Sequence, residues 1–260
     1  MLIPFLICIS MFTKIPVRNF AWDERQGANA AIFLPVVGAV CGIASFLAVK
    51  ACRVLACYGI ASADPLAAMA LLSLFCVCGF LHWDGFMDTV DCLLSSRDRE
   101  GKLRILKDSN TGAFSVVAAG LLLVCLFASI KAWLGASEDL DFILVLAPAF
   151  SRAWAAFLMF SVPTLETSSL MRFFTKGASE YHRLSMLTAS TLAALLAAFE
   201  AGRLTPVAFA VGAALGYVVA NTARKELGGI NGDIIGATIV LTEAAIYFAA
   251  PIAAQLQSLL

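Results

Sequence analysis

Charged side chains are scarce in this sequence. Asp, Glu, Lys and Arg make up only 14% of its 260 residues, and the acidic and basic residues balance to a formal net charge of zero. A chain without a basic surplus cannot displace the counterions of a phosphate backbone, which excludes nucleic acid as its main partner. Only two histidines are present, and the eight cysteines form no CxxC pair, which argues against a zinc site.

The sequence is rich in apolar residues. They account for 61% of the chain, and the mean hydropathy of +0.88 is far above that of soluble proteins. We therefore predict an all-α, polytopic integral membrane helix bundle. Because no repeat, soluble domain or low-complexity linker is visible, we expect a single membrane domain over residues 1–260. About seven apolar runs are suited to crossing a bilayer: 28–48, 65–81, 111–133, 142–162, 184–199, 205–220 and 234–255.

The first twelve residues form an apolar run that is too short to cross. Lys14, Pro16 and Arg18 follow this run, where a signal peptide would have a small-residue cleavage site. This pattern favours an N-terminal interfacial helix over a cleaved signal peptide.

Basic residues predict the orientation in the membrane. The spans alternate, so the polar segments 82–114, 163–183 and 221–236 all open on one side. Thirteen Lys and Arg residues belong to that side and four to the other, which makes it the cytoplasmic side and places the amino terminus there. We expect one active site, assembled from the three segments, at the cytoplasmic face of the cell (inner) membrane.

The stretch from His82 to Asp91 is the centre of the prediction. If it is helical, Asp84, Asp88 and Asp91 stand at i, i+4 and i+7 and share one face within an arc of about 60°. Three like charges repel unless a cation lies between them, and a hard divalent ion such as Mg²⁺ prefers oxygen ligands of this kind. The alternative interpretation is a solvated helix end, where aspartate is also common.

Further candidates lie in the other polar segments and spans. Asp108 precedes the third span, where it could contribute to a phosphate and metal pocket or cap a helix. Asp233 follows a glycine-rich turn. Arg152 and Glu243 are charges inside spans and are candidate substrate-binding residues. We prefer a phosphate-facing role for Arg152 over a purely structural ion pair. His82 could be a base or an interfacial anchor.

Acids for a divalent metal, neighbouring basic residues and glycine turns on one side together suggest phosphoryl or nucleotidyl chemistry. The residue pattern also resembles one known family. Gly79-Phe80-Leu81-His82-Trp83-Asp84-Gly85-Phe86-Met87-Asp88-Thr89-Val90-Asp91, Arg97-Asp98-Arg99, Lys107-Asp108-Ser109 and Gly228-Gly229-Ile230-Asn231-Gly232-Asp233 are similar, in this order, to the adenosylcobinamide-GDP ribazoletransferase (cobalamin synthase) family. Cys78, and Cys92 to Ser96, depart from its more glycine-rich pattern.

The resemblance implies an integral membrane enzyme that needs Mg²⁺. It would join adenosylcobinamide-GDP to α-ribazole, or to α-ribazole 5′-phosphate, and release GMP. The implied metal ligands are Asp84, Asp88 and Asp91. Asp108 and Asp233 would complete the metal shell or orient the ribazole hydroxyl. The charge on GMP would be offset by Arg97, Arg99 and Lys107, and His82 or an acid would act as base. A homo-oligomer is compatible with the resemblance.

Three other classes are weighed against this interpretation. A UbiA-like prenyltransferase should have a second aspartate-rich row, but segment 163–183 contains only Glu166 and Glu180 as acids. A CDP-alcohol phosphotransferase needs Ala-Arg after Asp-Gly, and Phe86-Met87 stands there. A cation-coupled transporter favours carboxylates at mid-membrane and repeated, broken helices, whereas only Glu243 and Arg152 lie deep in this chain and no repeat is visible.

Overall fold

The computed structural model describes residues 2–17, 20, 23–108, 110–136 and 138–259, and their regular structure is helical. This confirms the predicted all-α class. Arg18 and Ser109 lie outside the described residues. The α-helices are α1 (Leu2–Phe12), α2 (Gly27–Ala31), α3 (Leu34–Cys57), α4 (Ala63–Ser73), α5 (Leu81–Leu94), α6 (Arg99–Ile105), α7 (Ala113–Leu134), α8 (Ile143–Met159), α9 (Ser169–Thr175), α10 (Glu180–Ala201), α11 (Thr205–Leu227) and α12 (Gly232–Ser258).

Six helical segments in the described chain are long and apolar enough to cross a membrane. They correspond to six of the seven predicted runs, and the predicted N-terminal helix is α1, which is too short to cross. The six segments are Gly27–Cys57, Ala113–Leu134, Glu138–Met159, Glu180–Ala201, Thr205–Leu227 and Gly232–Ser258.

The remaining predicted run, 65–81, crosses the bundle as two helical pieces rather than as one continuous helix. Helix α4 ends at Ser73, turns occupy 74–80, and α5 starts at Leu81. Gly79 has a φ of 62°, a left-handed conformation that favours glycine and interrupts the helix. The backbone N–H of Lys14 donates to the carbonyl oxygen of Val77 at 2.8 Å, so a carbonyl freed by the break keeps a partner.

Ion pairs fix the end of the bundle where α4 begins. Asp64 at the start of α4 pairs with Lys131 at the end of α7 at 2.5 Å. At the same end, Arg53 of α3 pairs with the fully buried Asp141 at 3.0 Å and also donates to carbonyl oxygens that end α7. The last residues of α5, in contrast, lie beside the start of α7. Helices α4 and α5 therefore cross the bundle together, from one end to the other.

Helix α5 packs antiparallel against α12. A Cβ atom added to Gly85 would lie 2.8 Å from the Cα atom and carbonyl oxygen of Asp233, and one on Gly236 would lie 3.2 Å from the carbonyl oxygen of His82. His82 is thus level with Gly236, and Gly85 with the second residue of α12. Since α5 continues to Leu94, its second half extends past the beginning of α12, outside the spanning segments.

The three polar segments meet at this end of the bundle. The backbone of Ile230 donates to the carbonyl oxygen of Pro163, and the backbone of Leu165 donates to that of Ile230, both at 2.9 Å. Lys102 of α6 pairs with Glu226 of α11 at 2.5 Å. These contacts bring segments that are distant in sequence together near the exposed end of α5.

Candidate active site

The acidic row of α5 is helical, as its spacing requires. Asp84, Asp88 and Asp91 lie within α5 at i, i+4 and i+7. Their surroundings differ, because Asp84 is exposed, Asp88 is half-buried and Asp91 is buried. One helix face thus presents carboxylates at three depths, and the two least buried are open to a ligand.

Asp91 connects α5 to the start of α7. Its Oδ2 accepts from the backbone N–H of Gly112 at 2.7 Å, and its Oδ1 accepts from that of Ser115 at 3.0 Å. These N–H groups are unpaired within α7, so the carboxylate caps that helix from a neighbouring element. A Cβ atom on Gly112 would lie 2.5 Å from Oδ1, which explains the glycine. Its predicted role as a metal ligand stays a prediction.

Asp233 faces the row from the first turn of α12. The side chain of Asn231 donates to Oδ2 of Asp233 at 2.6 Å, while its own oxygen accepts from the backbone N–H of Ile234 and caps the helix. The close approach of Gly85 brings Asp233 next to α5. Asn231 was not singled out from the sequence, although an asparagine just before a glycine-led helix is a typical N-cap.

Among the described residues, the negative charges of the acidic row are not balanced by basic side chains. Burial, followed by the charges of Asp233, Asp84 and Asp91, raises the pKa of Asp88 to about 6. In the described part of the chain, neither Asp84, Asp88 nor Asp233 forms an ion pair with a basic side chain. The site therefore concentrates negative charge that its own residues do not neutralise.

Basic residues border this charge without pairing with it. Lys107 is exposed and lines a cavity together with Asp233. Arg97 is exposed on the segment between α5 and α6. Arg99 has a structural contact, since its Nε donates to the carbonyl oxygen of Leu227 at 3.0 Å and so caps the end of α11. Asp108 is exposed and accepts from the backbone and side chain of Asn110, which forms a local turn.

Two cavities meet at Gly232 and Asp233. The first is polar, has a volume of about 290 Å³ and is bordered by Lys107, Ser168 and Asn231. The second has a volume of about 260 Å³ and is mostly apolar, with walls from α1, α3, α5, α8, α9 and α12. Asp233 lines both cavities, so a ligand could place a charged part in one and an apolar part in the other.

His82, Arg152 and Glu243 lie deeper in the bundle. They border a small third cavity of about 30 Å³ together with Trp83. The guanidinium of Arg152 donates to a carboxylate oxygen of Glu243 at 2.7 Å, and Arg152 is 5% exposed. The structure thus pairs these two intramembrane charges with each other. Their predicted substrate-binding role, and the predicted role of His82 as a base, stay predictions.

No group of three or more His, Cys, Asp and Glu side chains among the described residues could hold a metal ion. The donor chemistry nevertheless fits a shared site. Mg²⁺ in phosphate-handling proteins is commonly bound through one or two carboxylates, with phosphate oxygens and waters completing the shell. Asp84 and Asp88 supply such carboxylates without a competing basic partner.

The fold and this site together define a polytopic membrane protein with an acidic site at one end of its helix bundle. The family model described as cobalamin-5-phosphate synthase matches residues 4–251. The chain therefore belongs to the cobalamin-5-phosphate synthase family, which confirms the family predicted from the sequence.

Curated relatives cover nearly the whole chain. An adenosylcobinamide-GDP ribazoletransferase of Clostridium perfringens strain SM101 is 38% identical, over 90% of this chain and 92% of the relative. Relatives of the same name from Clostridium botulinum strain Alaska E43 and from Brevibacillus brevis are 33% and 34% identical, each covering more than nine-tenths of both chains. No solved structure matches the chain.

Proposed function

We propose that this protein is an adenosylcobinamide-GDP ribazoletransferase, the activity that its relatives' names state. The reaction joins adenosylcobinamide-GDP to α-ribazole, or to its 5′-phosphate, and releases GMP. A ribazole hydroxyl oxygen forms a bond to the phosphorus attached to cobinamide. The bond from that phosphorus to the oxygen of GMP breaks, and the hydroxyl proton passes to a base.

The observation that supports this chemistry best is the unneutralised acidic row beside a polar cavity with a basic edge. Asp84 and Asp88 have no basic partner among the described residues, and Lys107 borders the cavity that Asp233 also lines. A diphosphate with a divalent cation complements such a surface, because the cation compensates the carboxylates and the lysine compensates the phosphate.

Asp84 and Asp88 are the residues that would hold Mg²⁺. When bound, the ion would neutralise phosphate oxygens and stabilise charge that develops on them. Asp91 would have a positioning role, since both of its oxygens already accept backbone hydrogen bonds from α7. Lys107 and Arg97 would stabilise negative charge on departing GMP.

Asp233 is placed to orient the attacking hydroxyl, because it lines both cavities and faces the acidic row across Gly85. Its Oδ2 accepts from Asn231, which leaves Oδ1 for the hydroxyl. Asp233 is not one of the proposed metal ligands, so it is also the carboxylate that would take the hydroxyl proton. His82 is more deeply buried and lies one turn further from this end.

We further propose that the acidic end faces the cytoplasm across the cell (inner) membrane. The basic side chains Lys107, Arg97, Arg172 and Lys176 belong to that end, whereas Lys50, Arg53 and Lys131 belong to the opposite one. This asymmetry follows the positive-inside rule.

The test is a turnover assay on the full-length protein in membranes or detergent. The wild type, given adenosylcobinamide-GDP, α-ribazole and Mg²⁺, should release GMP, and EDTA should stop the reaction. Asp88→Asn should lower kcat about 100-fold or more, because several kcal/mol of charge stabilisation depend on metal binding. The fold of the variant is checked by its thermal unfolding midpoint.

Asp64→Asn is the matched control. It makes the same chemical change at an exposed aspartate in the described chain, but at the opposite end of the bundle. Asp64→Asn should keep turnover within about twofold of wild type. Near-normal turnover of Asp88→Asn would remove Asp88 from the site, and a wild type that releases no GMP would refute the activity.

A further inference from the structure

We propose that the apolar cavity of about 260 Å³ is the subsite for the flat, bicyclic aromatic base of ribazole. This inference rests on the proposed function and assigns one half of one substrate to a place in the fold. Four properties of the cavity support the assignment: its walls, its size, one buried polar side chain that lines it, and its connection to the acidic row.

The walls are suited to a planar aromatic ring. Phe12 of α1 and Phe174 of α9 have ring centroids 5.6 Å apart, and Phe12 stacks on His82 at 6.1 Å with an interplanar angle of 27°. Thioethers supply much of the remaining surface, from Met11, Met159 and Met171. Aromatic faces and polarizable sulfur atoms both make favourable contacts with π systems.

The size selects a small ligand. Pockets for whole drug-sized molecules measure roughly 300–1,000 Å³, and this cavity lies just below that range. A corrinoid ring or a complete guanosine nucleotide exceeds it. A two-ring base with its glycosidic bond directed outward is of a size that fits, so the ribazole substrate is the better match.

One buried polar side chain that lines this cavity, and also the small cavity of Arg152 and Glu243, has a nitrogen without a protein partner among the described residues. His82 is 8% exposed, and its Nε2 has no hydrogen-bond partner within the described chain. A buried unsatisfied nitrogen is costly and calls for an explanation in the native structure. The base of ribazole has one ring nitrogen without a substituent, which is a hydrogen-bond acceptor. The Nε2–H tautomer of His82 would donate to it.

The apolar cavity adjoins the polar cavity where the reaction is proposed to occur. Gly232, Asp233 and Leu170 line both the apolar and the polar cavity. A base seated against the edge that Phe12 and Phe174 form would direct its ribose toward Asp233 and the acidic row. The ribose hydroxyl would then lie at the boundary where the diphosphate is expected, so one cavity both selects the base and orients the nucleophile.

Two variants test the assignment by steady-state kinetics with each substrate varied in turn. Met11→Trp fills the cavity from a half-buried position, and Phe12→Leu removes a stacking face. Each should raise KM for α-ribazole about tenfold while KM for adenosylcobinamide-GDP changes less than twofold. Phe248→Leu, on the exposed face of α12, is the control and should change neither.

Equilibrium binding of radiolabelled α-ribazole to the purified full-length protein gives a readout that does not need turnover. Binding should weaken about tenfold in both cavity variants. An analogue with CH in place of the free ring nitrogen should bind less well to wild type, and His82→Leu should remove the difference. Unchanged α-ribazole binding in Met11→Trp and Phe12→Leu would overturn the subsite. GMP release by the wild type would leave the proposed function standing in that case.

Discussion

At the scale of single residues, protonation of Asp88 makes the charge of the site depend on pH. Its pKa of about 6 exceeds the ordinary aspartate value, so between about pH 4 and 6 the folded state holds a proton that the unfolded state releases. Stability without divalent cations should therefore rise as pH falls from 7 toward 5. We expect an increase of about 2–4 °C in the thermal unfolding midpoint, after allowance for solvent screening of a half-buried group.

Asp88→Asn supplies the control for this pH dependence, because the amide has no proton to bind. The variant should show a smaller change of unfolding temperature than the wild type over the same interval. Saturating Mg²⁺ should also flatten the wild-type profile, since the cation replaces the proton between the carboxylates. A wild-type profile that rises toward neutral pH would contradict the assignment.

Arg152 and Glu243 make a second prediction at this scale. Their ion pair of 2.7 Å is buried between α8 and α12, and removing one partner leaves an uncompensated charge in a low-dielectric interior. Glu243→Ala should destabilise the protein by about 3–5 kcal/mol in thermal or denaturant unfolding. The double variant Arg152→Met with Glu243→Leu should recover most of that loss. Equal stability of Glu243→Ala and wild type would show that the pair is not needed for folding.

At the scale of elements, the contact between α5 and α12 sets the relative position of Asp88 and Asp233. Gly85→Ala would place a Cβ atom 2.8 Å from backbone atoms of Asp233, which cannot move without shifting α12. We expect turnover to fall about tenfold or more, because a displacement near 1 Å misaligns reacting groups. The assay is the release of GMP.

Gly120→Ala separates this effect from that of removing a glycine. Gly120 lies on the exposed face of α7, where an added Cβ atom would meet nothing within 4 Å. The substitution should leave turnover unchanged and stabilise the helix by about 0.5–1 kcal/mol. Equal activity in Gly85→Ala and Gly120→Ala would mean that the α5–α12 spacing does not control the chemistry.

The sequence is informative about α5 and much less so about its surroundings. The spacing of Asp84, Asp88 and Asp91 predicts a shared helix face, because helical periodicity is a local property. The break at 74–80 was not predicted, since the run 65–81 is apolar throughout and a lone Gly79 is a weak signal. The partners of Asp91 on α7 could not be foreseen either, because they belong to a different element.

At the scale of the whole molecule, the site depends on contacts between segments far apart in sequence. The backbone hydrogen bond from Leu165 to Ile230 and the ion pair of Lys102 with Glu226 connect segments that the sequence only assigns to one side. Counting charged residues predicts on which side of the membrane a segment lies, but not which segments are in contact. The apolar cavity was beyond sequence analysis for the same reason, since its walls come from α1, α3, α5, α8, α9 and α12.

The orientation of the bundle gives the last prediction. Ser96 is exposed between α5 and α6 at the acidic end, and Cys57 is exposed at the last residue of α3, at the opposite end. In Ser96→Cys, a hydrophilic maleimide should label residue 96 only in inverted membrane vesicles, and Cys57 only in intact cells. Because Cys76 and Cys125 are also exposed, both are replaced by Ser in every variant, and Cys57→Ser then identifies the labelled position in each preparation. Labelling of residue 96 from outside intact cells would place the acidic row on the wrong side for a cytoplasmic nucleotide substrate.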